Sequence, residues 1–187
     1  TPQKIAVSAG GRQWSYAQLI ERASALSSIL CAQRVARGDV VAILGPRSFA
    51  VVGSMLAALM CGAVFVTIDP ALPRERRRLM LRETAAKVLC VVDDAGQPMD
   101  LGQDDGLGVV RLDSSLDALA SLRGDALGAS PAIKGDDAAY VFFTSGSTGR
   151  PKAILGCHKG LSQFLEWQRQ TFDIGQDDRI SQLIALS

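Results

Sequence analysis

The sequence predicts an α/β fold with a mostly parallel sheet and flanking helices. Short continuous apolar runs, typical of parallel strands covered on both faces, occur at 40–44, 63–68 and 87–92. Helical patterns stand between them, at 49–61 and from Pro73 onward, which indicates right-handed βαβ units. With 187 residues, 48% of them hydrophobic, the chain is long enough for one substantial core. We therefore expect one domain.

Composition and charge narrow the classes of partner. The formal net charge is +1, which gives no electrostatic basis for binding nucleic acid or an anionic membrane. No apolar run reaches the roughly 18 residues of a membrane-spanning helix, and no basic segment followed by an apolar stretch begins the chain. We expect a cytoplasmic protein.

The spacing of the cysteines also favours a cytoplasmic protein. They are widely spaced among apolar neighbours and form no C-x-x-C motif: Cys31, Cys61, Cys90 and Cys157. Free, buried thiols are therefore expected. Cys157 precedes His158, but adjacent helical residues point about 100° apart, so we do not expect a thiol–imidazole pair. His158 is interpreted as a structural residue at a helix start.

The first 62 residues contain a hairpin, a helix and a strand–helix unit. Segments 5–7 and 12–14 predict the hairpin, and Ser15 with Gln18 matches a capping box for the helix. Its expected buried stripe is Tyr16, Leu19, Ile20, Ala23, Leu26 and Leu30. Ser48 caps the helix after the strand at 40–44. The dinucleotide motif G-x-G-x-x-G is absent there, which disfavours a dinucleotide site.

The middle of the chain combines an arginine-rich helix with polar connections. Arginines 74, 76, 77, 78 and 82 alternate with Glu75 and Glu83, a pattern that favours a solvated helix face over an anion site. Segment 109–112 predicts a short strand. Residues 93–108 are rich in aspartate and glycine and predict a surface loop, and 121–137 predict a connector.

The most informative segment is 140–152, YVFFTSGSTGRPK, in which an apolar run leads into small and hydroxyl residues and then a lysine. Gly146 and Gly149 allow the backbone to approach a ligand, so that successive N–H groups converge on an anion. Hydroxyl groups and a point charge suited to a terminal phosphate come from Thr144, Ser145, Ser147, Thr148 and Lys152. The segment predicts a polyphosphate-binding loop at 144–152.

Two alternatives compete with that interpretation. Clusters of serine and glycine are usually plain surface turns. A Walker loop is excluded by spacing, because Pro151 and Ala153 stand where that motif needs glycine and a hydroxyl residue.

Beyond the loop, 153–156 predict a return strand, so the loop is held at both ends. Segment 158–172 predicts a helix, with Leu161, Phe164, Leu165 and Phe172 on one side, and 179–187 predict a strand.

The whole of 140–152 closely resembles the phosphate-loop motif of the adenylate-forming superfamily, which includes acyl-CoA synthetases, luciferases and the adenylation domains of nonribosomal peptide synthetases. WSYAQLIERASALSSIL (14–30) and LAALMCGAVFVTIDPALP (56–73) resemble the first two motifs of that family. The peptide-synthetase branch fits best, because I-D-P-x-x-P precedes an arginine-rich helix. Departures from the family pattern are Cys61, Phe65, Thr67 and Ala153, the last of which stiffens the exit of the loop.

The resemblance implies an ATP-dependent ligase that uses Mg²⁺ and activates an amino acid or related carboxylic acid as an acyl-adenylate, releasing pyrophosphate. It implies transfer to a carrier protein through a phosphopantetheine arm. The residues it assigns to the phosphates of ATP are Thr144, Ser145, Gly146, Ser147, Thr148, Gly149 and Lys152.

The resemblance covers only the front of the family's pattern. Residues 1–187 are therefore expected to be an N-terminal subdomain portion, inactive alone, with no complete set of catalytic residues and no metal ligands. An acyl- or aryl-CoA ligase and a non-catalytic nucleotide-binding module stay open as alternatives.

Overall fold

The computed structural model describes residues 1–93, 107–120, 131–145 and 151–183. Its strands are β1 (Ile5–Ala9), β2 (Arg12–Ser15), β3 (Val40–Leu44), β4 (Val64–Ile68), β5 (Val88–Asp93), β6 (Gly108–Asp113), β7 (Ala138–Ser145) and β8 (Pro151–Cys157). Its helices are α1 (Tyr16–Ala32), α2 (Phe49–Met60), α3 (Arg74–Thr84) and α4 (His158–Thr171), with a short 3-10 turn at Asp117–Leu119.

A six-stranded sheet in the order β6-β5-β3-β4-β7-β8 forms the centre of the molecule. All neighbouring pairs are parallel except β7 and β8, which are antiparallel. β1 and β2 form a separate antiparallel hairpin. The predicted α/β fold with a mostly parallel sheet is confirmed.

Local sequence signals place the helix starts correctly. Ser15 Oγ accepts a hydrogen bond from the Gln18 amide at 3.2 Å, and Gln18 Oε1 accepts one from the Ser15 amide at 2.9 Å, so the capping box of α1 is confirmed. Ser48 Oγ accepts from the Val51 amide at 3.3 Å and caps α2.

The sheet is covered on both faces around β3, β4 and β5. Successive side chains of a strand point to opposite faces. Val41 and Ile43 accordingly join the core that includes α1 and α2, whereas Ala42 and Leu44 join a second core that includes Met80 of α3. This double burial explains why the strands are continuous apolar runs.

Some expectations about burial are wrong. Tyr16 and Ile20 are about half exposed, because the buried arc of α1 centres on Leu19, Leu26 and Leu30 and leaves Ile20 at its edge. Cys31 is exposed and Cys157 is half-buried, although all four thiols are free as expected.

The arginine-rich face of α3 is only partly solvated. Arg74 and Arg82 are exposed, but Arg76, Arg77 and Arg78 are half-buried. α3 packs against β8, and long arginine stems cover apolar surface while their charged ends stay near water.

Three elements predicted for the later part of the chain are either not formed or lie largely outside the described residues. Residues 179–183 form no strand, because no neighbouring strand pairs with them among the described residues. Segments 94–106, 121–130 and 184–187 lie outside the described residues, so most of the predicted loop at 93–108 and of the connector at 121–137 stays a prediction.

Within the described ranges, no helix is both long enough and apolar enough to span a lipid bilayer.

Candidate functional site

The β7–β8 hairpin holds both ends of the predicted phosphate loop. Thr144 lies opposite Lys152, and Ser145 lies opposite Pro151. Directly opposed residues of an antiparallel pair project to the same face of the sheet, with Cβ atoms about 5 Å apart. Thr144 and Lys152 are both exposed. Two of the predicted phosphate ligands are therefore neighbours at the end of the hairpin where β7 is connected to β8.

Residues 146–150 of the loop lie outside the described residues, and they include the predicted ligands Gly146, Ser147, Thr148 and Gly149. The side chain of Ser145 is also outside them. The convergence of backbone amides at 146–149 therefore stays a prediction. The return strand is longer than expected, since β8 extends from Pro151 to Cys157 and includes Lys152.

The end of the hairpin where β7 is connected to β8 lies at the carboxyl edge of the parallel strands. β7 runs parallel to β4, with Phe65 beside Tyr140 and Val66 beside Val141. Continuing this register brings Thr144 level with Asp69, the residue that follows β4. The predicted loop thus emerges at the edge where β3 and β4 also end.

That edge is a topological switch point. The chain leaves β3 toward β4 on one side, and it leaves β4 toward β5 on the other side of β3. In open α/β sheets, ligands bind in the crevice outside the carboxyl ends of strands at such a point. A cavity of about 340 Å³ lies there, lined by Ile43, Gly45, Pro46, Arg47, Val51, Thr67, Ile68, Asp69, Pro70 and Ala71.

Polar groups at this edge are held by defined contacts. Asp69 Oδ1 accepts a hydrogen bond from the Ala71 amide at 2.8 Å, which shapes the turn after β4. Arg47 Nη1 donates to the carbonyl oxygens of Gln182 at 3.1 Å and Leu183 at 3.0 Å. Arg47 therefore ties the segment after α4 to the sheet edge.

Sequence reasoning missed Arg47, Thr67 and Asp69 as lining residues. A usable signal existed, because each stands at or just after the carboxyl end of a buried apolar run. Polar residues in that position of a parallel sheet line the ligand crevice.

Cys157 and His158 have separate environments. Cys157 caps α4, and its Sγ accepts a hydrogen bond from the Gly160 amide at 3.5 Å. Within the described ranges, His158 Nε2 is buried and has no hydrogen-bond partner. The thiol of Cys157 thus interacts with the start of α4, and Cys157 itself is the last residue of β8 rather than a helical residue.

Acidic and metal-ligating groups are dispersed. In the part of the chain that the structure describes, no three or more His, Cys, Asp or Glu side chains cluster in a way that would hold a metal ion.

A larger apolar groove of about 1160 Å³ lies beside the hairpin. β1, α2, β7, α4 and segment 179–183 all contribute to its lining, for example Met55, Leu59, Phe142, Phe164 and Ile180. Its walls are mostly apolar, in contrast to the polar edge at Thr144.

Comparison with known proteins gives a match along the whole chain. The family model described as AMP-binding enzyme matches residues 1–187. The dimodular nonribosomal peptide synthase of Bacillus subtilis (strain 168) is 32% identical over 180 residues, which is 96% of this chain and 8% of that protein. Isonitrile lipopeptide synthase of Streptomyces coeruleorubidus is 35% identical over 182 residues, which is 97% of this chain and 12% of that protein.

Solved structures give the same likeness. The N-terminal subdomain of Klebsiella oxytoca NpsA is 29% identical, with a TM-score of 0.73 over 87% of this chain and 40% of that one. The same subdomain has also been solved in complex with 3-hydroxybenzoyl-AMSN. The chain therefore spans a small part of these synthases and less than half of the solved subdomain.

Proposed function

We propose, from the premise that the chain belongs to the AMP-binding enzyme family, that residues 1–187 are the N-terminal portion of a nonribosomal peptide synthetase adenylation domain. Such a domain activates an amino acid or related carboxylic acid as an acyl-adenylate. The observation on which this rests is the family match over all 187 residues, together with relatives that are peptide synthases.

The phosphates of ATP are proposed to bind at 144–152, to Thr144, Ser145, Gly146, Ser147, Thr148, Gly149 and Lys152. Three features of the described residues support this placement. The hairpin presents Thr144 and Lys152 opposite each other. Both are exposed and thus accessible to a ligand. The hairpin end lies at the switch-point edge, where α/β folds bind nucleotides.

The chemistry of these donors suits a leaving pyrophosphate. A carboxylate oxygen of the acid attacks the α-phosphorus, and the bond to the bridging oxygen of the β-phosphate breaks. Negative charge then moves onto the β- and γ-phosphates, where the lysine ammonium and hydroxyl donors stabilise it. The loop therefore acts by positioning and by neutralising charge.

Mg²⁺ is proposed to enter with ATP. This ion keeps several waters and is usually held by one or two carboxylates plus substrate phosphates. The dispersed acidic groups of the described residues fit that mode better than an all-protein cage.

The rest of the adenylation domain is proposed to cover the apolar surface that β8 and α4 leave exposed. Leu155 is 64% exposed and Leu165 is 55% exposed, and within the described ranges α4 has no buried residue. Large exposed apolar patches mark interaction surfaces. The acceptor of the acyl group is proposed to be the phosphopantetheine thiol of a carrier protein.

Amino-acid-dependent ATP–pyrophosphate exchange by the complete protein tests this function. Lys152→Gln should lower kcat/KM for ATP by about 100-fold, because one charged contact to the leaving group is lost. Lys159→Gln is the matched control, since Lys159 is also exposed but belongs to α4, and it should leave exchange unchanged. Residues 1–187 alone should show no exchange.

Three results would overturn the proposal. They are full exchange by Lys152→Gln, robust exchange by residues 1–187 alone, and no exchange with any member of a broad amino-acid panel. Activity with fatty or aryl acids and CoA instead would identify the CoA-ligase alternative.

A further inference from the structure

The C-terminal ends of α1 and α2 approach each other closely. The buried residues of both helices include several small side chains: Ala23, Ser27, Ser54, Ala57 and Ala58. Small residues at a helix contact allow the two backbones to come close. At the end of this contact, Cys61 Sγ donates a hydrogen bond to the Ser27 carbonyl oxygen of α1 at 3.5 Å.

Two thiols meet at this place. Cys31 lies in the last turn of α1, Cys61 follows the end of α2, and their sulfur atoms are 3.6 Å apart. A disulfide bond needs the sulfurs at about 2.05 Å, so they must close by about 1.5 Å. Both residues lie at helix ends, where the backbone adapts most easily.

The two thiols differ in access. Cys31 is exposed, whereas Cys61 is buried. Burial, together with the neighbouring Cys31 thiol, raises the pKa of Cys61 to about 12. Cys31 is therefore the thiol that a soluble oxidant reaches first, because a thiol must be accessible to be oxidised.

We propose that Cys31 and Cys61 are an oxidation site at which hydrogen peroxide forms a disulfide that links α1 to α2. The Cys31 thiolate attacks one peroxide oxygen, the O–O bond breaks, and hydroxide leaves and takes up a proton. Cys31 is now a sulfenic acid. The Cys61 sulfur loses its proton and attacks the Cys31 sulfur, and the S–O bond breaks to release water. Two thiols and one peroxide thus give one disulfide and two waters.

This site is separate from the phosphate loop. α2 leads into the amino end of β4, whereas the β7–β8 loop lies at the carboxyl edge of the sheet. The cross-link joins two elements of the covered core and should raise the thermal unfolding temperature, because it restricts the unfolded chain.

Peptide mapping of the complete protein tests the pair directly. Trypsin places each of the four thiols in its own peptide, namely 23–34, 48–74, 88–111 and 153–159. After reduction, mild peroxide treatment and alkylation, a species linking 23–34 to 48–74 should appear. Its mass should be the sum of the two peptides minus two hydrogen atoms, and dithiothreitol should separate them.

Variants distinguish this pair from random oxidation. Cys31→Ser should abolish the linked species and the increase in unfolding temperature, while Cys157→Ser should keep both. Cys31→Ala is a second variant, and circular dichroism of the reduced proteins checks that the variants fold. Recovery of Cys31 as an unlinked sulfinic acid with Cys61 still reduced, or linkage of 48–74 to another peptide in the wild-type protein, would contradict the proposal.

Discussion

Two halves of the molecule differ sharply in burial. One is the part of the sheet around β3, β4 and β5, and the other consists of β7 and β8 together with helix α4. Every residue of β4 is buried, since helices cover both faces. In the β7–β8 half, Phe142 is 46% exposed and Leu155 is 64% exposed. A hairpin at a sheet edge has no crossover helix of its own. The first half thus completes its own core within the described residues, whereas the second half leaves large apolar side chains exposed.

The proposed site lies where the two halves join. The covered half fixes the carboxyl ends of β3 and β4, and the hairpin extends the sheet beside them. Functional loops are commonly positioned by a rigid scaffold in this way. The burial contrast therefore bears on function, because the predicted phosphate loop connects β7 and β8, the two strands of the less covered half.

The largest expected contrast is between two leucines. Leu26 is 0% exposed and Leu165 is 55% exposed. In residues 1–187, Leu26→Ala should lower the free energy of unfolding by about 3 kcal/mol. Leu165→Ala should change it by less than about 0.5 kcal/mol. Urea unfolding measures both.

The cost of Leu165→Ala, measured in residues 1–187 and again in the complete protein, tests whether α4 is covered in the complete protein. There Leu165→Ala should cost about 2 kcal/mol, because its side chain becomes buried. An equally small cost in both proteins would mean that the exposed face of α4 has no packing partner.

A smaller effect is expected inside the hairpin. A methyl group added at Gly156 would collide with the ring of Tyr140, which lies over this glycine on the opposite strand. Gly156→Ala should therefore destabilise the protein by about 2 kcal/mol through overpacking, as measured by urea unfolding of residues 1–187.

Gly160→Ala is the matched control in the same half. Among the described residues, the added methyl group meets only Cys157 Sγ, at 3.7 Å. Alanine is favoured over glycine in a helix by up to about 1 kcal/mol, so this change should be neutral or stabilising. If both substitutions had the same effect, the contact between Tyr140 and Gly156 would not order the hairpin.

The smallest expected effect is electrostatic and belongs to α4. Arg169 and Gln170 donate hydrogen bonds to the Glu166 carboxylate, and they lower its pKa to about 2. Because the folded pKa lies below the unfolded one, the stabilisation is present above the usual pKa of glutamate. It is lost as pH falls toward 2. The side chains of Arg169 and Glu166 are both more than half exposed, so the gain in stability from this ion pair is small.

Carboxyl NMR titration checks this. Glu166 should remain ionised at pH 4, and Arg169→Gln should return its pKa toward the ordinary value. Titration of Glu166 at that ordinary value in the wild-type protein would show that the pair does not form in solution.

Features with local sequence signals were predictable. The capping box at Ser15 and the Ser48 cap depend on residues three positions apart, and β3 is a continuous apolar run. The pairing of β4 with β7 was not predictable, because Phe65 and Tyr140 are far apart in sequence. The approach of Cys31 to Cys61 depends on helix packing in the same way.

The candidate site was predictable in part. The residue types at 144–152, together with their resemblance to a family motif, predicted a phosphate-binding loop, and this stays a prediction, whereas the positions of Arg47, Thr67 and Asp69 required the strand order. The strand expected at 179–187 is not formed over 179–183, since a strand needs a neighbour with which to share hydrogen bonds.

Binding of ATP and AMP by the complete protein tests the central claim most directly. If the loop holds the β- and γ-phosphates, Lys152→Gln should weaken ATP binding about tenfold, the loss expected for one charge-assisted contact. AMP lacks those phosphates, so its Kd should hardly change. Calorimetric titration measures the Kd for ATP and for AMP of the wild-type protein, Lys152→Gln and Lys159→Gln. Equal losses for ATP and AMP, or no loss for ATP, would contradict the assignment of the loop.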